Sequence, residues 1–273
     1  MNHKPTDIHP VSFEYGFLPV EMRMPLKFGG ESVSHVNCLR VAAEVVDSAG
    51  RRAEGWGETP LSVTWAWPSA TLSYDERYEA MVAFCKFTAR AFVEVNESGH
   101  PMEIGHVFLA ERLPLVLEAF NKSHSTEPIP YLAALIVVSA FDIALHDAYG
   151  NLHQIDIYDT YTSEYMTQDL SHYFRSSPEA DRFQGLFPSD FLEEQPSVKV
   201  PVWHLVGGLD PLEESDKKES DLKDGYPVTL TEWIKSDGLR CLKIKLKGTD
   251  SQWDDQRILK VVSIALAARG VAP

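Results

Sequence analysis

Two lysines one residue apart, Lys243 and Lys245 in the run CLKIKL (241–246), are the residues of this chain best arranged to do chemistry. Side chains alternate along a strand, so both lysines point to the same side. If that side is an enclosed interior, two ammonium groups there are costly unless they act on a charged ligand. Each ammonium disfavours the other and partial burial adds to this, so at least one pKa is expected to fall from its free value of about 10.4. A lysine so shifted is suited to general-base work near neutral pH. The plainer alternative puts both lysines on a solvated face with Ile244 buried behind them.

Other chemistries find little support. The ten histidines show no HxH or HExxH spacing, so no zinc site is expected. Gly207-Gly208 is too short for a phosphate loop and reads as a strand end. No GxSxG element suggests a serine hydrolase. Cys38, Cys85 and Cys241 lie far apart without a CxxC pair, which fits buried thiols in a reducing compartment. The net charge of −15 argues against nucleic acid and against an anionic membrane surface. The first ten residues are polar, and the apolar run Tyr131–Val138 is far short of the roughly 20 residues that span a bilayer, so a cytoplasmic location is expected.

The elements that must position the lysines follow from periodicity. With 273 residues, 44% hydrophobic and 24% charged, a sizeable core is within reach. Residues 11–58 read as β, with an extended stretch from Phe17 to Leu26 and then a hairpin of 36–47 and 53–58 about the turn at 48–51. Residues 61–70 (LSVTWAWPSA) read as a loop. Ser73 and Glu76 form a capping-box signature for a helix to about Val95. A helix over 104–120 is interrupted at Pro114, and one over 131–149 carries Gly150 as its C-terminal cap. Residues 151–197 are irregular. Then come a strand at 198–206, the solvated acidic loop 210–224, a short helix capped by Thr229 and Glu232 and closed by Gly238, the lysine strand, and an amphipathic helix over 253–269. Strand, helix, strand, helix is the unit of a parallel α/β domain. Two such units leave open parallel edges and apolar faces, which predicts oligomerisation or aggregation.

Three segments, in this order and spacing, resemble the enolase superfamily, in particular its mandelate racemase and muconate-lactonizing branches. They are Gly55-Trp56-Gly57-Glu58, the run 139–147 (SAFDIALHD) with Gly150, and Leu242-Lys243-Ile244-Lys245-Leu246. The resemblance implies an α+β capping domain followed by an incomplete (β/α) TIM-type barrel: a capping domain over 1–150, an irregular connection over 151–197, and the first two strand–helix units of a truncated barrel over 198–273. A closed eight-stranded barrel takes roughly 250 residues.

The resemblance also implies a carboxylate substrate gripped by Mg²⁺ and a base that removes the proton next to the carboxylate. Lys245 would be that base and Lys243 its neighbour. The family draws its metal ligands from the third, fourth and fifth barrel strands. Here Asp250, Asp254 and Asp255 fall where helix capping explains them, so no metal residue is assigned, and Mg²⁺ is expected for an intact protein but not on this chain. Trp65 and Trp67 would close over the substrate, or else pack the lid against its own helices. A second such loop is expected within 17–30, with Lys27 as a carboxylate contact. His204, on the first barrel strand, would touch substrate if it points inward, or pack if it does not. The expected activity of an intact protein is that of a racemase, epimerase, dehydratase or cycloisomerase, with this chain inactive by itself. The alternatives are a non-catalytic module acting in protein association and an unrelated α+β binding protein.

Overall fold

The structure, a computed structural model, describes residues 3–28, 31–95, 97–124, 127–193 and 195–270. The chain forms two compact units. One comprises Met1–Met24 and Val33–Glu194, the other Pro25–Ser32 and Gln195–Pro273.

The first unit is built on a three-stranded sheet in the order β1-β2-β3: β1 (Ile8–Phe28), β2 (Glu31–Asp47) and β3 (Arg52–Pro60). Strands β2 and β3 are antiparallel, with Val41 opposite Gly57 and Ala43 opposite Gly55. Leu39, Val41, Ala43 and Val45 are all fully buried, the period of two expected when one sheet face meets a core. The stretch read as extended, Phe17–Leu26, lies within β1, which runs on to Phe28; of the 17–30 segment expected to hold a loop, Gly29 and Gly30 lie outside the described residues.

Helices cover that face. The stretch read as a loop contains a single helical turn, α1 (Val63–Ala66). Helix α2 (Tyr74–Glu94) starts at the expected capping box, with Ser73 Oγ accepting from the Glu76 amide at 3.2 Å and Glu76 Oε2 accepting from the Ser73 amide at 2.8 Å. It buries Met81, Phe84, Cys85, Thr88 and Phe92 along one side, at helical spacing. Helices α3 (Pro101–Val107) and α4 (Leu113–His124) are joined by a π-helical turn over Phe108–Arg112. The Leu113 amide donates to the Phe108 carbonyl there, so the helix absorbs Pro114, which has no N–H, by widening one turn.

Helix α5 (Tyr131–His153) is the centre of this unit. By length and composition it could cross a membrane, yet its buried residues, among them Ala133, Val137, Ala140, Ala144 and Ala148, belong to the unit's core. It runs one turn past the expected end, closing on Gln154 in the left-handed region at φ 55°. Gly150 is therefore not the cap. It lies under the returning chain, where a Cβ would sit 3.0 Å from the Ile155 carbonyl oxygen. Residues 151–193 form short turns, including α6 (Leu170–Tyr173), with Ile157 and Tyr165 packed on the core.

The second unit is a parallel pair, β4 (Trp203–Val206) and β5 (Cys241–Ile244), with α7 (Leu230–Asp237) between them in sequence and α8 (Ser251–Ala268) after them. No closed barrel exists among the described residues. Strand β4 is five residues shorter at its start than its apolar pattern suggested. Pro201 removes a ladder donor, and Val198, Val200 and Val202 are left 99%, 75% and 67% exposed. The expected capping box on α7 forms, with Thr229 Oγ1 accepting from the Glu232 amide at 3.2 Å. Gly238 closes the helix at φ 61°.

Candidate active site

The lysines sit on β5 and just beyond it. Leu242 and Ile244 pack against the unit's core of Val206, Leu212, Leu230, Ile234, Leu239, Val261 and Ile264. By alternation Lys243 and Lys245 take the opposite face of the sheet. Lys243 is exposed and Lys245 half-buried. The ladder continues one step past the strand, because the Lys245 amide donates to the Val206 carbonyl at 2.9 Å. Lys245 thus stands at the carboxyl end of a parallel strand, where α/β barrels place their chemistry.

The register between the strands decides which other residues share that face. Leu205 pairs with Lys243 and Trp203 with Cys241, so both side chains of β4 stand beside the lysines. His204 pairs with Leu242 and shares its side, the one facing the helices, where its ring lies 5.5 Å from that of Trp233 on α7. His204 is therefore a packed histidine and not a neighbour of the lysines. Trp203, Leu205 and Cys241 were missed as neighbours, because a parallel register between strands 38 residues apart has no local sequence signal.

The turn after Lys245 is pinned by Asp254. Its Oδ1 accepts from the Lys247 amide at 2.8 Å and its Oδ2 from the Gly248 amide at 2.9 Å. Asp250 caps α8 through the Trp253 amide at 3.1 Å. Lys247 lies over the Trp253 ring, 4.1 Å from its centre. The turn after β4 is held in the same manner: Gly207 donates to Asp210 Oδ2, and Arg257 donates to the Gly207 and Asp210 carbonyls. Asp254 and Asp210 are thus committed to backbone amides. Among the described residues no group of three or more His, Cys, Asp or Glu is placed to hold a metal ion. The near-octahedral oxygen set that Mg²⁺ requires is not supplied by them.

The remaining expected residues lie elsewhere. Trp65, on α1, is 51% exposed. Trp67 is 1% exposed and donates through Nε1 to Glu127 Oε1 at 2.8 Å, so it packs within the first unit, the second of the two roles expected for it. Lys27 lies on β1, and its side chain is outside the described residues.

The other two motif segments meet in the first unit. A Cβ on Gly55 would lie 2.0 Å from the Ala148 nitrogen, and one on Gly57 would lie 2.1 Å from the Ala140 oxygen. Glycine is needed at both places because the backbone of α5 rests directly on β3. Asp147 Oδ2 accepts from the Trp56 amide at 2.8 Å, and Thr59 and Ser139 join hydroxyls at 2.8 Å.

No family model matches the chain, and no curated protein matches it either. Solved structures do. A dipeptide epimerase from Methylococcus capsulatus, complexed with Mg and the dipeptide L-Arg-D-Lys, aligns over 96% of this chain and 52% of its own, at 17% identity and a TM-score of 0.51. Over the aligned residues the chain shares the fold of this epimerase. An enolase from Streptomyces coelicolor aligns at 16% identity and a TM-score of 0.48, over 97% of this chain and 50% of its own. A mandelate racemase/muconate lactonizing protein from Herpetosiphon aurantiacus aligns at 12% and 0.45, over 99% and 52%. The chain spans about half the length of the structures it matches.

Proposed function

We propose that this chain supplies the capping domain and the base-bearing first strands of an epimerase- or racemase-type enzyme that acts on a small carboxylate. The observation that carries the proposal is the pair Lys243 and Lys245, on the sheet face turned away from the helices and reaching the carboxyl end of β5. In this reading Lys245 Nζ takes the proton from the carbon beside the carboxylate. Lys243 contributes a second positive charge that favours the anion left behind. Leu205 and Trp203 flank the lysines on that face. Trp65, and Lys27 where its side chain reaches, are proposed as substrate contacts from the capping domain. Mg²⁺ dependence is proposed for the whole protein only, with ligands outside the described residues. Dipeptides are the first substrates to try, since the Methylococcus capsulatus enzyme is complexed with one.

The test is deuterium uptake at the carbon beside the carboxylate, followed by proton NMR in D₂O with Mg²⁺ present, using the longest product of the gene and a panel of dipeptides and hydroxy acids. The expected result is exchange that falls about a hundredfold to ten-thousandfold in Lys245→Ala, the range for loss of a positioned general base. Exchange that survives Lys245→Ala unchanged refutes the assignment.

A further inference from the structure

The segment from Leu61 to Ser73, which follows β3 and contains the single turn α1, carries no charged residue. Its start is fixed by the sheet and the core: the Leu61 amide donates to the Asn37 carbonyl at 2.9 Å, and Val63 and Ala66 are buried. Trp65 projects from it, half exposed. One helical turn does not hold itself, so the far end needs an anchor.

That anchor is a carboxylate. Glu127, four residues before α5, accepts at Oε1 from Trp67 Nε1 at 2.8 Å, and at Oε2 from Ser69 Oγ at 2.7 Å and Thr71 Oγ1 at 2.5 Å. Alternate residues of the segment thus converge on one group. Ser69 relays the hold to the backbone. Its Oγ accepts from the Thr71 and Leu72 amides at 3.1 and 2.9 Å, which occupies both lone pairs and leaves its proton for Glu127. Buried Arg77 adds to the hold, donating to the Trp67 carbonyl at 2.6 Å and the Ser73 carbonyl at 3.0 Å. Two residues past Glu127 the chain is itself fixed to α4, where Asn121 accepts from the Ile129 amide at 2.9 Å and donates to the Ile129 carbonyl at 3.3 Å. The bonds from Thr71, Ser69 and Trp67 hold the Glu127 carboxyl below the usual carboxylate range, so it is ionised at neutral pH.

Three donors on one side chain demand a group that only accepts. A glutamine of the same shape fails either way round. With its oxygen toward Ser69 and Thr71, its amino group meets the buried indole N–H, donor against donor. With its oxygen toward Trp67, its N–H groups need lone pairs on Ser69 that two amides already occupy. We propose that Glu127 is a latch: ionised, it keeps residues 63–72 closed as a strap carrying Trp65, and without the carboxylate the strap opens while the helices stay folded. No substrate enters this inference, so it stands or falls apart from the proposed catalysis.

The experiment is amide hydrogen exchange of the whole chain, read by NMR at Ala66, Thr71 and Leu72, with Phe84 and Cys85 on α2 as references. Glu127→Gln is expected to accelerate exchange at the three strap amides by about tenfold or more, the scale of one lost hydrogen bond to a charged group, and to leave the references unchanged. In a Ser69→Ala background the relay is already cut, so Glu127→Gln is expected to add less than about twofold at Thr71 and Leu72. If Glu127→Gln does not fold, which circular dichroism reports, Glu127→Asp takes its place, because a carboxylate one methylene shorter cannot reach all three donors. The proposal is overturned by unchanged exchange at the strap amides, by acceleration that extends to Phe84 and Cys85, or by an equal effect at Thr71 and Leu72 in both backgrounds.

Discussion

Substituting Gly57 by alanine puts a methyl group where the backbone of α5 already lies. The new Cβ would be 2.1 Å from the Ala140 oxygen, 2.7 Å from the Ala144 nitrogen and 3.1 Å from the Ala140 carbonyl carbon. Relief requires α5 and β3 to separate by roughly 1 Å, since neither backbone can rotate aside as a side chain would. That separation loosens the contacts of the fully buried Ala140, Ala144 and Ala148. Overpacking of this kind costs about 1–3 kcal/mol, offset by about 0.4–1 kcal/mol from the stiffer unfolded chain. The net expectation is a loss of about 1.3 kcal/mol, or a fall in Tm of about 3–5 °C for a unit of this size. Urea denaturation followed by circular dichroism measures it. Gly16→Ala is the internal control, because a Cβ there meets nothing within 4 Å and its backbone imposes no positive φ. It should leave stability within about 0.5 kcal/mol of wild type. A Gly57→Ala protein as stable as Gly16→Ala would refute the close-packing account of this motif.

The two tryptophans should separate sharply in the same assay. Trp67→Ala is expected to cost about 3–5 kcal/mol, and Trp65→Ala, half exposed, within about 0.5 kcal/mol; similar losses for both would refute the division of roles. His100 governs acid stability. Its Nδ1 accepts from the Met102 amide and its Nε2 bonds Thr160 Oγ1, while burial, with smaller contributions from His146 and His153, pushes it down to about 3. Folding therefore selects the neutral ring, so its contribution is full above the unfolded value of about 6.5 and is lost as pH falls from there toward 3, by on the order of 5 kcal/mol at most. Urea midpoints taken across that window should fall for wild type and flatten for His100→Gln; equal slopes would count against it. Asp254→Ala leaves two amides at the turn after Lys245 without their acceptor and should cost the second unit about 1–3 kcal/mol. Hydrogen exchange at Lys247 and Gly248 that stays as slow as in wild type would show that the carboxylate is dispensable.

The chain's local chemistry was legible wherever neighbours in sequence settle it. Ser73 with Glu76 and Thr229 with Glu232 announce helix starts because capping joins residues three apart. Leu39, Val41, Ala43 and Val45 announce a half-buried strand because the pleat has a period of two. The same alternation set Lys243 and Lys245 on one side of β5. What the helices left to contact also showed, indirectly, in the glycines of 55–58 and the alanines of 140–148, although their meaning is packing and not catalysis. Tertiary structure alone decided the rest. It assigned Trp67 to the core through Glu127, 60 residues away, and left Trp65 in solvent. It turned His204 toward Trp233 by pairing it with Leu242, and set Trp203 and Leu205 beside the lysines in its place. A strand's own residues fix which of them share a side, but which side meets helices, and which residue of the next strand lies opposite, depends on burial summed over contacts distant in sequence.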